Sequence, residues 1–201
     1  VVRGGEVITA DGRARCDVGI KDGRIAVLAE TLTDGVRTLD ASGLWVLPGG
    51  VDSHVHIAQP SGAGITMADD FASATAAAAC GGNTTVMPFA LQQRGHGLRA
   101  TVEAYHEKAR GNCHIDVSFH LIISDATPAV LGQELPALVK AGYTSLKVFM
   151  TYDDLVLDDR SLLEVMDVAK REQALVMVHA EGYDSLKFMT DRLEAEGKTA
   201  P

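Results

Sequence analysis

Cysteine is scarce in this 201-residue sequence. The three cysteines, Cys16, Cys80 and Cys113, lie far apart and form no CxxC pair. An odd, scattered set argues against a disulfide framework and is typical of proteins that stay in a reducing compartment. We therefore expect a cytoplasmic protein.

Basic runs and long apolar runs are missing as well. The formal net charge is −9 and no stretch is rich in lysine and arginine, so a surface for nucleic acid or for an anionic membrane is not expected. No signal-peptide pattern is found, and no apolar run is long enough to cross a bilayer. Hydrophobic residues still make up 46% of the chain, which suffices for a sizeable core.

The first 47 residues have the pattern of β structure. Short β-prone runs are separated by Asp-Gly dipeptides at 11–12, 22–23 and 34–35. An Asp-Gly pair between such runs predicts a hairpin turn. Since Pro48-Gly49-Gly50 marks a natural boundary, we expect one domain over residues 1–47 and a second over 48–201.

From Pro48 onward, apolar strand-like runs alternate with helical patterns. The runs start near residues 51, 84, 116, 145 and 174, which is the spacing of βα units. Alternating units with nearly all-apolar strands predict a parallel sheet covered by helices. Five units fit either part of a (β/α)8 barrel or an open doubly wound sheet, and periodicity does not choose between them.

The stretch PGGVDSHVHI places two histidines one residue apart in the first of these strands. Because alternate strand residues share a face, Asp52, His54 and His56 are expected to point the same way. Two imidazoles near the C-terminal end of a strand can bind one metal ion. Two hydrogen-bonded strand histidines are the alternative, and the motif alone leaves both open.

Lys147 lies inside the apolar strand SLKVFM, where alternation predicts that it points into the interior. A buried lone ammonium is costly, so it needs a carboxylate partner, a lowered pKa or covalent modification. Capture of CO2 would turn the amine into an anionic carbamate that can bridge two metal ions. A salt-bridged lysine is the alternative, but His179 at the end of a later strand weakens it, because the C-terminal strand ends build a barrel's active site.

These motifs together resemble the cyclic amidohydrolases of the amidohydrolase superfamily, most closely the dihydropyrimidinase/hydantoinase branch. Four segments along essentially the whole chain carry the resemblance: PGGVDSHVHI, ADDFASATAAAACGGNTTVMPFA, TSLKVFMTY and VMVHAE. The resemblance implies an α/β fold with a TIM-like (β/α)8 barrel. Residues 48–201 would form its first five βα units, and residues 1–47 would form part of a small β-sandwich.

The resemblance also implies a metal centre. His54 and His56 resemble the two ligands of one zinc ion, and His179 resembles a ligand of a second zinc ion. Lys147 resembles the N6-carboxylated lysine that bridges the two zinc ions. Tyr152 resembles the tyrosine that hydrogen-bonds the substrate carbonyl and the tetrahedral intermediate, with an ordinary loop tyrosine as the alternative.

The implied reaction is zinc-dependent ring opening of a dihydropyrimidine or hydantoin to an N-carbamoyl amino acid. The family pattern adds a sixth-strand histidine and an eighth-strand aspartate, and neither falls within these 201 residues. We therefore expect an N-terminal fragment that is inactive alone, from an enzyme that assembles as a homo-oligomer, by resemblance a tetramer. An allantoinase-like hydrolase and a non-catalytic dihydropyrimidinase-like scaffold are the alternatives, and the intact ligand set favours an enzyme.

Several polar residues have weaker expectations. Dihydroorotase-like members carry an arginine two residues after HxH, and this chain has none there, so an anionic ring is not expected. Asp69-Asp70-Phe71 resembles the DDF of dihydropyrimidinases, although acidic residues at a helix start also complement the helix dipole. Asp52 is a candidate for supporting the metal ligands.

The remaining histidines and one glutamate are predicted to be structural. His96, His106 and His114 fall in loop or helix segments without partners and are expected to be solvated. His120, inside the third strand, is expected to be a satisfied core histidine, with a supporting place beside the site as the alternative. Glu181 is expected to cap the helix that follows.

Overall fold

The computed structural model describes residues 1–62 and 64–199. The chain divides into two compact units, Val1–Gly50 and Val51–Pro201. The division falls between Gly50 and Val51, whereas the sequence places it before Pro48.

The first unit, which is described throughout, consists of two small sheets. Its strands are β1 (Val2–Arg3), β2 (Glu6–Thr9), β3 (Gly12–Arg15), β4 (Asp17–Lys21), β5 (Arg24–Ala29), β6 (Leu39–Asp40) and β7 (Trp45–Val46). One sheet has the strand order β5-β4-β1-β6, and the other has the order β3-β2-β7.

Two of the three Asp-Gly pairs form the predicted hairpins. Asp22 and Gly23 have φ angles of 52° and 73° and join the antiparallel strands β4 and β5. Such left-handed pairs match the twist of a two-residue hairpin. Asp11-Gly12 joins β2 to β3, with Thr9 paired to Gly12.

The hairpin predicted at Asp34-Gly35 is wrong. The pair lies in an irregular segment between β5 and β6, which occupy opposite edges of their sheet. The buried Asp17 carboxylate holds this segment by accepting the Leu32 amide at 2.9 Å, and it also accepts the Gly4 amide at 2.9 Å. These backbone hydrogen bonds lower the pKa of Asp17, because they favour its ionised form. No hairpin can form here, since β5 and β6 are not neighbours in the sheet.

The second unit is built on a largely parallel sheet. Its strands are β8 (Gly50–Val55), β9 (Asn83–Leu91), β10 (Asp116–Val117), β11 (His120–Ile122), β12 (Ser145–Phe149) and β13 (Leu175–His179). The order is β10-β9-β11-β12-β13, with β8 also paired to β9. Pairing is parallel between β9 and β10, β9 and β11, β11 and β12, and β12 and β13. The parallel α/β prediction is confirmed, except that the third run is split into β10 and β11.

Helices follow the strands as predicted. They are α1 (Phe71–Cys80), α2 (Leu98–Ala109), α3 (Leu135–Lys140), α4 (Asp159–Glu172) and α5 (Tyr183–Ala195). A π-helical turn, Val130–Glu134, leads into α3, and Pro136 lies in the first turn of α3, where a missing amide is tolerated. Within the described residues, none of the helices combines the length and apolar character needed to span a bilayer.

The start of α1 explains the acidic pair before it. Asp70 is the N-cap: its carboxylate accepts the Ser73 amide at 2.8 Å, while the Ser73 hydroxyl accepts the Asp70 amide. Asp69 accepts the Ser73 hydroxyl at 2.8 Å. The pair therefore has the structural role weighed from the sequence, as cap and cap support rather than within the first turn.

The core lies between the helices and one face of the sheet. From the helices, Phe71, Leu98, Val102, Leu135 and Val165 contribute to it. From the strands, alternate residues contribute Val55, Val86, Ala90, Leu121, Leu146, Val148, Val176 and Val178. The strand residues between them consequently lie on the opposite face of the sheet.

Candidate active site

The sheet face opposite the helices carries the reactive side chains. Because Val55, Leu146 and Val178 belong to the core, His54, Lys147 and His179 point to the other face. His54 lies one residue before the end of β8, and His179 is the last residue of β13. The strand order thus places these side chains along one surface of one sheet.

The β8 histidines pack on a phenylalanine of the neighbouring strand. The His54 and His56 rings lie 4.8 and 5.2 Å from the Phe89 ring and 5.6 Å from each other, measured between centroids. Their shared contact confirms the prediction that both imidazoles occupy one face. Phe89 is 1% exposed, so the two imidazoles rest on a buried aromatic ring.

Hydrogen bonds fix one of these rings and the backbone between them. His56 donates from Nδ1 to Gln59 Oε1 at 2.7 Å, which leaves its Nε2 with a free lone pair. Asp52 accepts the backbone amide of His54 at 3.1 Å. Asp52 therefore supports the strand and not an imidazole ring.

Lys147 is held without a countercharge. Among the residues that the structure describes, no carboxylate forms an ion pair with it. Its Nζ lies 5.1 Å from the centroid of the Phe149 ring. Burial lowers the pKa of the Lys147 amine, because desolvation disfavours the ammonium form. The salt-bridged alternative is thus not realised by the described residues.

His179, Glu181 and Tyr152 form a polar group beyond the strand ends. His179 donates from Nε2 to Glu181 Oε1, and the Tyr152 hydroxyl lies 3.4 Å from the same nitrogen. The Phe149 ring stacks on His179 with centroids 5.6 Å apart. The capping role expected of Glu181 is wrong, since Gly182 is the N-cap of α5 and no side chain caps it.

The four predicted ligands share a face but do not form a complete metal site by themselves. Across residues 1–62 and 64–199, no three or more His, Cys, Asp or Glu side chains come together to hold a metal ion. Two imidazoles gather at Phe89, while the third lies at Phe149 with Tyr152. Lys147 lies on β12, two residues before Phe149.

His120 is a satisfied interior histidine, as expected. Its Nε2 donates to the Ser53 carbonyl at 2.8 Å, and its Nδ1 accepts the Ser145 hydroxyl at 2.5 Å. These bonds tie β11 to the backbone of β8 and to a side chain of β12. His106, expected to be solvated, instead bonds the Tyr143 hydroxyl and packs on Phe119, whereas the His96 and His114 side chains are exposed.

Sequence reasoning named Tyr152 but missed the other residues that shape the cleft above the strands. An open cleft of about 970 Å³ is lined by the loops after β8, β9 and β12, and by α5. Besides Tyr152, the lining residues include Gln92 and Arg94, which follow β9, and Tyr183 of α5. The available signal was position, because Gln92 directly follows a parallel strand and such ends form sites.

Comparisons with known proteins agree with this architecture. A sequence model of the amidohydrolase family matches residues 45–201. The whole chain is 45% identical to a D-hydantoinase of Rhizobium radiobacter and covers 44% of that protein. Solved structures of a D-hydantoinase and of the dihydropyrimidinase from Brevibacillus agri NCHU1002 both superpose with a TM-score of 0.94, at 44% and 40% identity.

The chain spans 44% of the length of each of these solved chains and is covered over its full length. The fold class, a partial TIM-like barrel preceded by part of a small β domain, is confirmed by this likeness. The resemblance to the dihydropyrimidinase/hydantoinase branch is confirmed as well. The chain belongs to the amidohydrolase family.

Proposed function

We propose that the natural protein containing this chain hydrolyses a cyclic amide, opening a hydantoin or dihydropyrimidine ring to an N-carbamoyl amino acid. One observation carries the proposal: His54, Lys147 and His179 share one face of the sheet, with His56 beside them, in a member of the amidohydrolase family. The relatives named D-hydantoinase and dihydropyrimidinase support the substrate class.

The donor chemistry of these residues suits two zinc ions, which an N6-carboxylated Lys147 would bridge. Imidazole nitrogen is a preferred zinc donor, and the free Nε2 of His56 supplies one. In this assignment His54 and His56 would hold one ion and His179 would hold the other, and Lys147 would be a ligand to both if its amine, unpaired among the described residues, reacted with CO2 to give a carbamate and a released proton. Zinc at such a site acts as a Lewis acid and lowers the pKa of water.

The protein's own residues bind and orient the ring. The Tyr152 hydroxyl, half-exposed at the cleft, donates a hydrogen bond to the ring carbonyl oxygen as that oxygen gains negative charge. Phe89 packs against the His54 and His56 rings and Phe149 stacks on the His179 ring, which restricts how these imidazoles can turn. Overall, water adds its oxygen to the carbonyl carbon, the ring C–N bond breaks, and a proton from water ends on the departing nitrogen.

The test uses the full-length natural protein with zinc and bicarbonate. Hydantoin, phenylhydantoin, dihydrouracil and allantoin are offered separately, and N-carbamoyl products are quantified by chromatography. We expect turnover of a hydantoin or of dihydrouracil, and its loss when zinc is removed with a chelator. Preference for allantoin would support the allantoinase alternative, whereas no turnover of any ring by zinc-loaded protein would support the non-catalytic scaffold.

We also propose that the protein is a cytoplasmic homo-oligomer, by family likeness a tetramer. The scattered free cysteines support a reducing compartment. Sedimentation of the full-length protein tests the assembly, and a monomer at micromolar concentration would contradict it.

A further inference from the structure

We infer that Arg94 is a positioning residue that holds the Tyr152 loop for the reaction. This inference rests on the proposed function, in which the Tyr152 hydroxyl contacts the reacting carbonyl. It concerns two segments that lie about 60 residues apart in the chain and meet at the cleft. The β9 loop is residues 92–97, and the Tyr152 loop is residues 151–157.

The backbone at Tyr152 has a conformation that needs support. Its φ angle is 71°, a left-handed value that is uncommon for residues other than glycine. The Tyr152 carbonyl accepts the amides of Leu155 and Val156 at 2.9 and 2.8 Å, which closes a tight turn. Tyr152 is 50% exposed and touches only one side of the cleft, at the Phe149 and His179 rings, so the direction of its side chain also depends on this turn.

Arg94 fastens the same turn from outside. Its Nε donates to the Asp154 carbonyl at 3.2 Å, and a terminal guanidinium nitrogen donates to the Val156 carbonyl at 2.7 Å. Val156 therefore has two roles: its carbonyl accepts from Arg94, and its amide donates to the Tyr152 carbonyl and closes the turn. A planar guanidinium can donate to two acceptors at once in a fixed geometry, whereas a lysine ammonium is a single mobile charge.

The arginine reaches out from a segment that is itself anchored. Gln92 is 1% exposed, and its amide oxygen accepts the amides of Ser124 and Asp125 at 3.1 Å each. Its amide nitrogen donates to the carbonyls of His96 and Asp125 at 2.8 and 3.3 Å. A buried amide with four partners forms a rigid point, since breaking any bond leaves a polar group unpaired.

A further bond ties the β9 loop to Asp125, in the segment that follows β11. Gly95 donates its amide to the Asp125 carboxylate at 2.8 Å. Arg94 therefore lies between two fixed residues, Gln92 and Gly95. Among the described residues no carboxylate forms an ion pair with Arg94, so its donors are directed at the Tyr152 loop.

The kinetic test uses Arg94→Ala, Arg94→Lys, Tyr152→Phe and the Arg94→Ala/Tyr152→Phe double variant of the full-length protein. A misplaced Tyr152 should lower kcat of Arg94→Ala by about 10- to 100-fold with little change in KM, because the hydroxyl acts in the transition state. Arg94→Lys should recover part of the loss. The double variant should be no slower than Tyr152→Phe alone, since Arg94 acts through that hydroxyl.

Arg171→Ala is the matched control, and amide hydrogen exchange is a readout that does not depend on turnover. Arg171→Ala removes an exposed arginine paired with Asp167 on α4 and should behave as the wild type. In Arg94→Ala, hydrogen exchange of the Leu155 and Val156 amides should accelerate, while the thermal midpoint should stay within about 2 °C, as for other surface changes.

Each contrary result has a distinct meaning. Unchanged exchange at the Leu155 and Val156 amides would show that Arg94 does not hold the Tyr152 loop, and it would overturn the inference. A raised KM with unchanged kcat would show that Arg94 binds substrate directly, and multiplied losses in the double variant would show that it acts apart from Tyr152; both overturn the inference. Full activity of Tyr152→Phe would instead refute the role of Tyr152 in the proposed function, and with it the positioning role.

Discussion

Lys147 and Tyr152 stand five residues apart in the chain, yet different forces place their side chains. Lys147 belongs to β12, where the burial of Leu146 and Val148 in the core leaves it only the opposite face. Tyr152 follows the strand and depends on a turn with an uncommon φ angle, held by an arginine from another loop. A strand residue is oriented by its nearest neighbours, whereas a loop residue depends on contacts distant in the chain.

The largest effect should come from the strand side of this comparison. Lys147→Met should lower kcat/KM for the hydrolysed ring by more than about 10³-fold, beyond the loss from removing one oxyanion donor. Zinc content, measured by mass spectrometry on purified protein, should fall with it. Stability of the metal-free protein should not fall, because the variant removes a half-buried amine without a carboxylate partner. Retained zinc and turnover would show that Lys147 is not a ligand.

His120 keeps two strands that carry predicted ligands, β8 and β12, in place. His120→Ala should lower the free energy of unfolding by about 3–5 kcal/mol, since it leaves a cavity and two polar groups without partners. His120 is 4% exposed and bonds both Ser53 and Ser145. Denaturant unfolding of the metal-free, full-length protein measures the change. The exposed His96→Ala is the control and should shift stability by about 0.5 kcal/mol or less.

Strand positions and strand facing could be read from the sequence because they arise from local patterns. The runs near 51, 84, 145 and 174 became strands, and alternation oriented Lys147 correctly. The turn at Asp22-Gly23 followed from residues that tolerate positive φ angles. The same rule failed at Asp34-Gly35, because the strands on either side, β5 and β6, pair with β4 and β1 and not with each other.

Features that rest on contacts distant in the chain could not be read in this way. The sequence around His106 does not indicate its hydrogen bond to Tyr143. The sequence around Arg94 does not indicate its hydrogen bonds to the carbonyls of Asp154 and Val156. The metal centre was predicted by resemblance to a family, and its ligands were assigned residue by residue. The face that His54 and Lys147 share has a physical reason in strand alternation, while the support of Tyr152 emerges only in three dimensions.

Gln59→Leu tests a side chain, His56, whose placement depends both on a strand and on a contact from a nearby loop residue. His56 lies just past the end of β8, and its ring is oriented by the hydrogen bond to Gln59. Losing such a bond to a ligand should weaken zinc binding by about 10- to 100-fold, measured by competition with a chromogenic chelator. Gln93→Leu, on an exposed position of the β9 loop, is the control. An unchanged affinity would mean that strand geometry alone orients His56.

The smallest expected effect is the pH dependence that His120 contributes. Burial lowers the pKa of this imidazole below its ordinary value of 6.5, because the charged form is poorly solvated between β8 and β12. Above pH 6.5 both the folded and the unfolded chain hold His120 neutral, so its contribution is complete. As the pH falls below that value, the unfolded chain binds a proton at His120 that the folded chain does not bind, and the free energy of unfolding declines until the folded pKa is passed.

Denaturant unfolding of the metal-free protein between pH 7.5 and 5.0 should therefore show a steeper decline in the free energy of unfolding for the wild type than for His120→Asn, which cannot ionise. Equal slopes would mean that His120 accepts a proton in place, and that strand contacts tolerate a charge as readily as the exposed loops do.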